Sequence, residues 1–157
     1  MIARILASQF KYNHMVLKSN LEGVSHDESL IQPKPYGNCI NWILGHIVAG
    51  RNAVLTLIGE EAIWTAEESK TYDRGSDPLE DSSKAQKIES ILAALDTTQK
   101  QLSEKLVHMR DEDLTAIREP EKGSIADQLA GLSFHESYHS GQIGLLRQLI
   151  GKEGTLK

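Results

Sequence analysis

A single cysteine, Cys39, is all the thiol chemistry in this chain of 157 residues. One thiol excludes an intrachain disulfide and suits a reducing cytoplasm. No apolar run approaches the roughly 20 residues of a membrane span, so no membrane segment is expected. The opening Met1-Ile2-Ala3-Arg4 begins an amphipathic pattern rather than a charged region followed by a solid apolar stretch, so no secretory leader is read. A basic stripe is missing too. Lys and Arg are scattered among acids, and the net charge of −5 argues against a nucleic-acid partner. Internal repeats, low-complexity segments and convincing strand alternation are all lacking, which leaves helices as the expected material.

What is present fits one soluble domain spanning residues 1–157, long enough to bury a sizeable core. Four helices are expected. The first, about 2–21, places Ile2, Leu6, Phe10, Asn13, Leu17 and Leu21 on one side and stops at Gly23. A loop with Pro33, Pro35 and Gly37 follows. Asn38 is the expected N-cap of a second helix, about 39–58, ended by Gly59. That helix is apolar on two sides, one broad and one carrying Trp42, Gly45, Ala49 and Ala53, which a neighbouring helix could approach closely. Residues 60–82 read as the longest irregular stretch, long enough to let helices two and three lie parallel. The third helix is expected over about 83–109. Asp111 to Lys122 reads as a charged loop, and Ser124 with Asp127 opens a fourth helix that runs to Ile150. The fold class is therefore all-α, a four-helix bundle.

His135 and His139 are the most informative pair in the chain. At i and i+4 on the fourth helix they leave one face with Cβ atoms roughly 6 Å apart, close enough to share a divalent metal. Six His in the chain predict roughly 0.2 such pairs by chance, so position has to strengthen the signal. Measured at 100° per residue from Leu132, His139 falls within about 20° and His135 within about 60° of the apolar stripe, with Gln128 and Gln142 on the same flank. His46, mid-helix among apolar neighbours on helix two, is the best candidate for a third ligand, because a His there is poorly solvated without a partner. His14 reads as a boundary residue, His26 as a loop residue and His108 as a helix-end cation. Asn13, near the centre of helix one's apolar side, is either a satisfied core group or a pocket residue.

Taken together, Tyr12-Asn13, Asn41-Trp42-Ile43-Leu44-Gly45-His46 and His135-Glu136-Ser137-Tyr138-His139-Ser140-Gly141-Gln142 resemble the DinB-like family of bacterial metalloenzymes. The similarity covers nearly the whole chain in helix order, loop placement and length. It implies an up-down-down-up bundle with a long connection between helices two and three. It implies a site of His46, His135 and His139, commonly holding zinc or nickel, and a homodimer. Some relatives are thiol-dependent transferases or isomerases that use a low-molecular-weight thiol.

Three neutral His ligands leave a divalent ion its full charge and an open position, the arrangement of catalytic rather than structural zinc. Water or a thiol placed there becomes a nucleophile against a small-molecule electrophile. Gln142 is placed to orient a ligand, and Trp42 and Asn13 to line the pocket. Glu136 lies about 100° round the helix from His135, and no acid or base is assigned. The competing reading is a non-enzymatic stress or interaction protein whose metal is structural. The dimer face is expected on the doubly apolar helix two.

Overall fold

The computed structural model describes residues 1–79 and 81–155. Four long helices dominate it: α1 (Ile2–Leu21), α3 (Ile40–Leu57), α5 (Ile88–His108) and α7 (Ile125–Leu149), with short helices α2 (His26–Ser29), α4 (Ala66–Lys70) and α6 (Asp111–Thr115) between them. Each of α1 and α3 packs against both α5 and α7. Side-chain bonds give their directions. Asn13 meets Ser133 and Asn20 meets Ser140, so α1 and α7 run the same way. Asn41 meets Gln86 and Arg51 meets Leu95, so α3 and α5 also run the same way. His46 meets His135 while Ile43 and Leu146 share a cluster further along, so α3 opposes α7.

The helix boundaries follow local chemistry. Ser124 caps α7 by accepting from the Asp127 amide at 3.1 Å, while the Asp127 carboxylate accepts from the Ser124 amide at 2.9 Å. Such a reciprocal cap contributes about 1 kcal/mol. Helix α3 starts one residue later than expected: Cys39 is its N-cap, without a side-chain bond, rather than Asn38. Helix α5 starts at Ile88, because Ser82–Lys84 forms a separate 3-10 turn. The segment expected as a charged loop, Asp111 to Lys122, holds α6 and β1 (Ile117–Glu119), which pairs antiparallel with β2 (Gly123–Ser124) just beyond it. Two and three residues are too few for alternation to show in a sequence.

The interior divides into two apolar clusters. One gathers Phe10, Leu55, Leu102, Leu106, Ile125 and Leu129; the other Leu17, Ile43, Leu44, Ile91, Leu95 and Ile143. Between them every long helix carries a polar residue: Asn13 on α1, Arg51 on α3, Thr98 on α5 and Glu136 on α7. Arg51 and Glu136 are almost wholly buried and form a two-pronged ion pair, Nη2 to Oε1 at 2.6 Å and Nε to Oε2 at 3.0 Å. Arg51 Nη1 also donates to the Leu95 carbonyl and to Thr98, which ties α3 to α5 as well.

The connection from α3 to α5 is more ordered than an irregular stretch. Asn52 accepts from the Ile63 amide and donates to the Trp64 carbonyl. Tyr72 is fully buried, donates its hydroxyl hydrogen to Asn41 and accepts from the Gln86 amide. Its ring lies on Gly45, where even a Cβ would overlap it. The small side of α3 thus admits the crossover, not a helix. Most of the broad apolar side of α3 is buried inside the chain, while Ala53 on the small side stays exposed. Among the described residues, no helix is long and apolar enough to cross a membrane.

Candidate metal centre

The three histidines singled out in the sequence converge. His46 comes from the middle of α3, and His135 and His139 come from adjacent turns of α7. The Nε2 of His135 lies 3.1 Å from the Nε2 of His46 and 3.1 Å from that of His139. One ligand atom from each lies within 4.8 Å of the other two. Nitrogens bound tetrahedrally at about 2.0–2.1 Å from zinc stand about 3.3 Å apart, so the spacing suits a shared ion.

The hydrogen-bond partners on the far side of the rings decide what those nitrogens carry. His46 Nδ1 is 2.7 Å from the Tyr72 carbonyl, which can only accept. Nδ1 therefore holds the hydrogen, and Nε2 of the neutral ring presents a lone pair. His139 Nδ1 likewise donates to Gln142 Oε1 at 2.7 Å. His135 Nε2 thus faces two lone pairs and has one hydrogen at most to offer. The donor set is short of positive charge, and a cation completes it. Burial is the first cause holding His135 down at a pKa of about 4, followed by the charges of His139, His46 and Arg74. Burial also lowers His139, against an opposing bond from Gln142. Both rings stay neutral near pH 7 and keep their lone pairs available to a metal.

The cluster forms part of the wall of a cavity of about 720 Å³. Trp42 stacks on His46 with ring centroids 4.8 Å apart, and its indole donates to Ser76. Gln142 and Trp42 both line this cavity. Asn13 does not. It donates to the Ser133 carbonyl at 3.0 Å and accepts from Ser137 at 2.8 Å, so it joins α1 to α7 and is a satisfied interhelical group. Glu136 is held by Arg51 and is not free to act as a base.

Several residues in and behind the site were not foreseen. Arg74 and Lys34 line the cavity from the crossover and from the loop before α3, where no periodic pattern marks them. Tyr72 supports His46 through a backbone atom, which leaves no trace in residue type. Arg51 was detectable in principle, as a cation in the middle of an otherwise apolar helix. Of the remaining histidines, His14 is partly buried beside Asp96 and His108 is exposed, as expected; His26 opens α2 rather than lying in a loop.

A helical protein with three imidazoles from two opposed helices, set beside a cavity, falls in the class of candidate trihistidine metalloproteins. The chain belongs to the DinB superfamily, whose sequence profile matches residues 9–143. In three dimensions it is similar to the crystal structure of the conserved protein of locus from Enterococcus faecalis, with a TM-score of 0.73 over 94% of this chain and 95% of that one. At 14% identity that likeness concerns the fold alone. No curated protein matches the chain.

Proposed function

We propose that the protein is a metal-dependent enzyme, a transferase or hydrolase acting on a small electrophile, in which His46, His135 and His139 hold a divalent transition metal such as zinc or nickel. The observation that carries this reading is the meeting of three Nε2 atoms, two of them fixed as lone-pair donors, at a cavity wide enough for a small molecule. A divalent ion bound there supplies Lewis acidity, which makes a thiol or water nucleophilic near neutral pH.

The chain's own residues do the rest. Tyr72 and Gln142 fix the ring orientation and tautomer of His46 and His139. Trp42 walls the site beside His46 and limits water on that side. The Arg51–Glu136 pair already ties α3 to α7, so a metal is not needed to join them, which favours a chemical over a structural role. The same reading takes the four long helices as an up-down-down-up bundle in one domain, supported by the helix directions given above. It places the protein in the cytoplasm, with the lone buried Cys39 in support, and takes a small molecule rather than nucleic acid as partner. It also includes a homodimer. Exposed Tyr12 and Met15 on α1 and Phe134 on α7 favour that pair of helices as the contact face.

Elemental analysis of the purified protein tests the metal. About one transition-metal ion per chain is expected, and a large loss in His46→Ala. Turnover on a panel of thiols with electrophiles, and of hydrolysable esters, tests the chemistry. Activity that requires metal and disappears in His139→Ala supports the enzyme. A large drop in melting temperature on metal removal, with no turnover on any panel member, overturns it in favour of a structural metal.

A further inference from the structure

We propose that the substrate is a small organic anion, a carboxylate with an apolar body, whose charged end is held by Arg74 and Lys34 beside the three histidines. This rests on the metalloenzyme reading above and narrows it to a substrate class.

The first support is the sign of the cavity. The chain has 22 acidic residues against 17 Lys and Arg, a net charge of −5. Yet the described residues lining this cavity include Lys34, Arg74 and three histidines, with no Asp or Glu among them. In an acidic protein the cavity wall is the exception, and a divalent ion held by neutral imidazoles adds to the same sign. Such a pocket concentrates anions and repels cations.

The second support is that these two cations are uncommitted. Elsewhere Lys18 pairs with Asp96, Arg51 with Glu136, Lys105 with Glu60 and Lys152 with Glu28. Among the described residues neither Arg74 nor Lys34 has an ion pair or hydrogen bond. Arg74 is exposed, so its guanidinium keeps its donors free for a planar anion, which it can grip with two parallel bonds.

The third support is the apolar part of the lining. Leu145 and Leu149 line the cavity from α7 and are more than half exposed, and Tyr36 lines it from the loop that carries Lys34. An anion with an apolar body can lay that body on these side chains while its charged end lies between the two cations.

Calorimetric titration with 4-phenylbutyrate and with its neutral amide tests the proposal, on zinc-loaded and metal-free protein, with zinc content measured for every sample. The carboxylate is expected to bind zinc-loaded protein at least about tenfold more tightly than the amide, and to weaken as salt is raised. Arg74→Gln should weaken carboxylate binding about five- to tenfold with zinc content unchanged. Arg74→Lys should recover part of the loss, and Lys34→Gln should give a smaller loss. Lys100→Gln, an exposed position on α5 outside the cavity, should change nothing. Equal affinity for acid and amide, or equal effects of Arg74→Gln and Lys100→Gln, overturns the proposal while leaving the metal reading intact. If the protein takes up no zinc, the metal reading falls and the metal-free titration decides the anion site. A retained preference for the acid that depends on Arg74 supports it, and no preference overturns it.

Discussion

The backbone carbonyl of Tyr72 lies 2.7 Å from Nδ1 of His46, and the ring of the same tyrosine covers Gly45, the residue before that histidine. One crossover residue thus fixes a candidate ligand from two sides. The contact requires a glycine at position 45, because any Cβ there would occupy the space of the Tyr72 ring.

Gly45→Ala tests that relationship. On an open helix the change would add about 1 kcal/mol of stability through backbone entropy. Here Tyr72 has to move, and overpacking of this kind costs about 1–3 kcal/mol. The expected result is a net loss of stability in urea unfolding together with weaker zinc binding, since the carbonyl that sets the His46 tautomer moves with the ring. A variant more stable than the parent, with zinc affinity unchanged, would show that the crossover yields without disturbing His46.

Arg51 and Glu136 set a second expectation. Removing either partner leaves the other charge buried and unpaired, which costs about 3–5 kcal/mol. Arg51→Met and Glu136→Met should each destabilise strongly. The double variant Arg51→Met with Glu136→Met should lose much less than the two single losses added together, because no orphaned charge remains. Urea midpoints for the three variants check this. Additive losses would mean the pair is not coupled in the folded protein.

The acid side of the stability profile follows from His135. Its folded pKa is about 4, against an ordinary value of 6.5, so between those values the unfolded chain binds a proton that the folded chain refuses. Stability is therefore complete above pH 6.5 and is lost as pH falls toward 4. His139 is shifted in the same direction and adds to the loss. Solvent reaches these half-buried rings and screens part of the effect, leaving on the order of 1–2 kcal/mol for metal-free protein. Replacing His135 by Gln should flatten that part of the curve. With zinc present, the metal should leave over the same range, because protons compete for the ring nitrogens.

The sequence made some of this legible and hid the rest for identifiable reasons. Helix α1 and the capped start of α7 could be read because their signals are local: an amphipathic period, and Ser124 with Asp127. His135 and His139 could be read because four residues is one turn, and His46 because a histidine among Ile and Leu needs a partner. The buried face of α7 was harder. Its inward positions include Ser133, Glu136 and Ser140, so a stripe centred on Leu132, which is only partly buried, points to one side of the true interior. Asn13 stayed open between a core group and a pocket residue because helix periodicity shows that it faces inward, not which helix it meets. Tyr72 and Arg74 lie in a crossover whose path is set by bonds to Asn41 and Asn52, and no period reports such bonds.

Gln142 gives the sharpest test of the metal centre, since its amide oxygen accepts from the Nδ1 hydrogen of His139 and so keeps the Nε2 lone pair aimed at the other two histidines. In Gln142→Ala that acceptor is gone. The imidazole can then turn, or move its hydrogen to Nε2, where it cannot ligate. Loss of such a supporting bond typically lowers metal affinity about 10–100-fold. The side chain is half-buried and bonds mainly to the histidine it serves, so the urea stability of metal-free protein should shift by less than about 0.5 kcal/mol. Gln142→Glu keeps an acceptor at the same reach and should retain most of the affinity, or increase it, because a carboxylate makes the ring more basic. Competition with a chromophoric chelator measures all three proteins. Equal zinc affinity in Gln142→Ala and the parent would mean that His139 holds its orientation without the glutamine, or that it is not a ligand. Repeating the titration on His139→Ala separates those two cases, since only a true ligand loses affinity there.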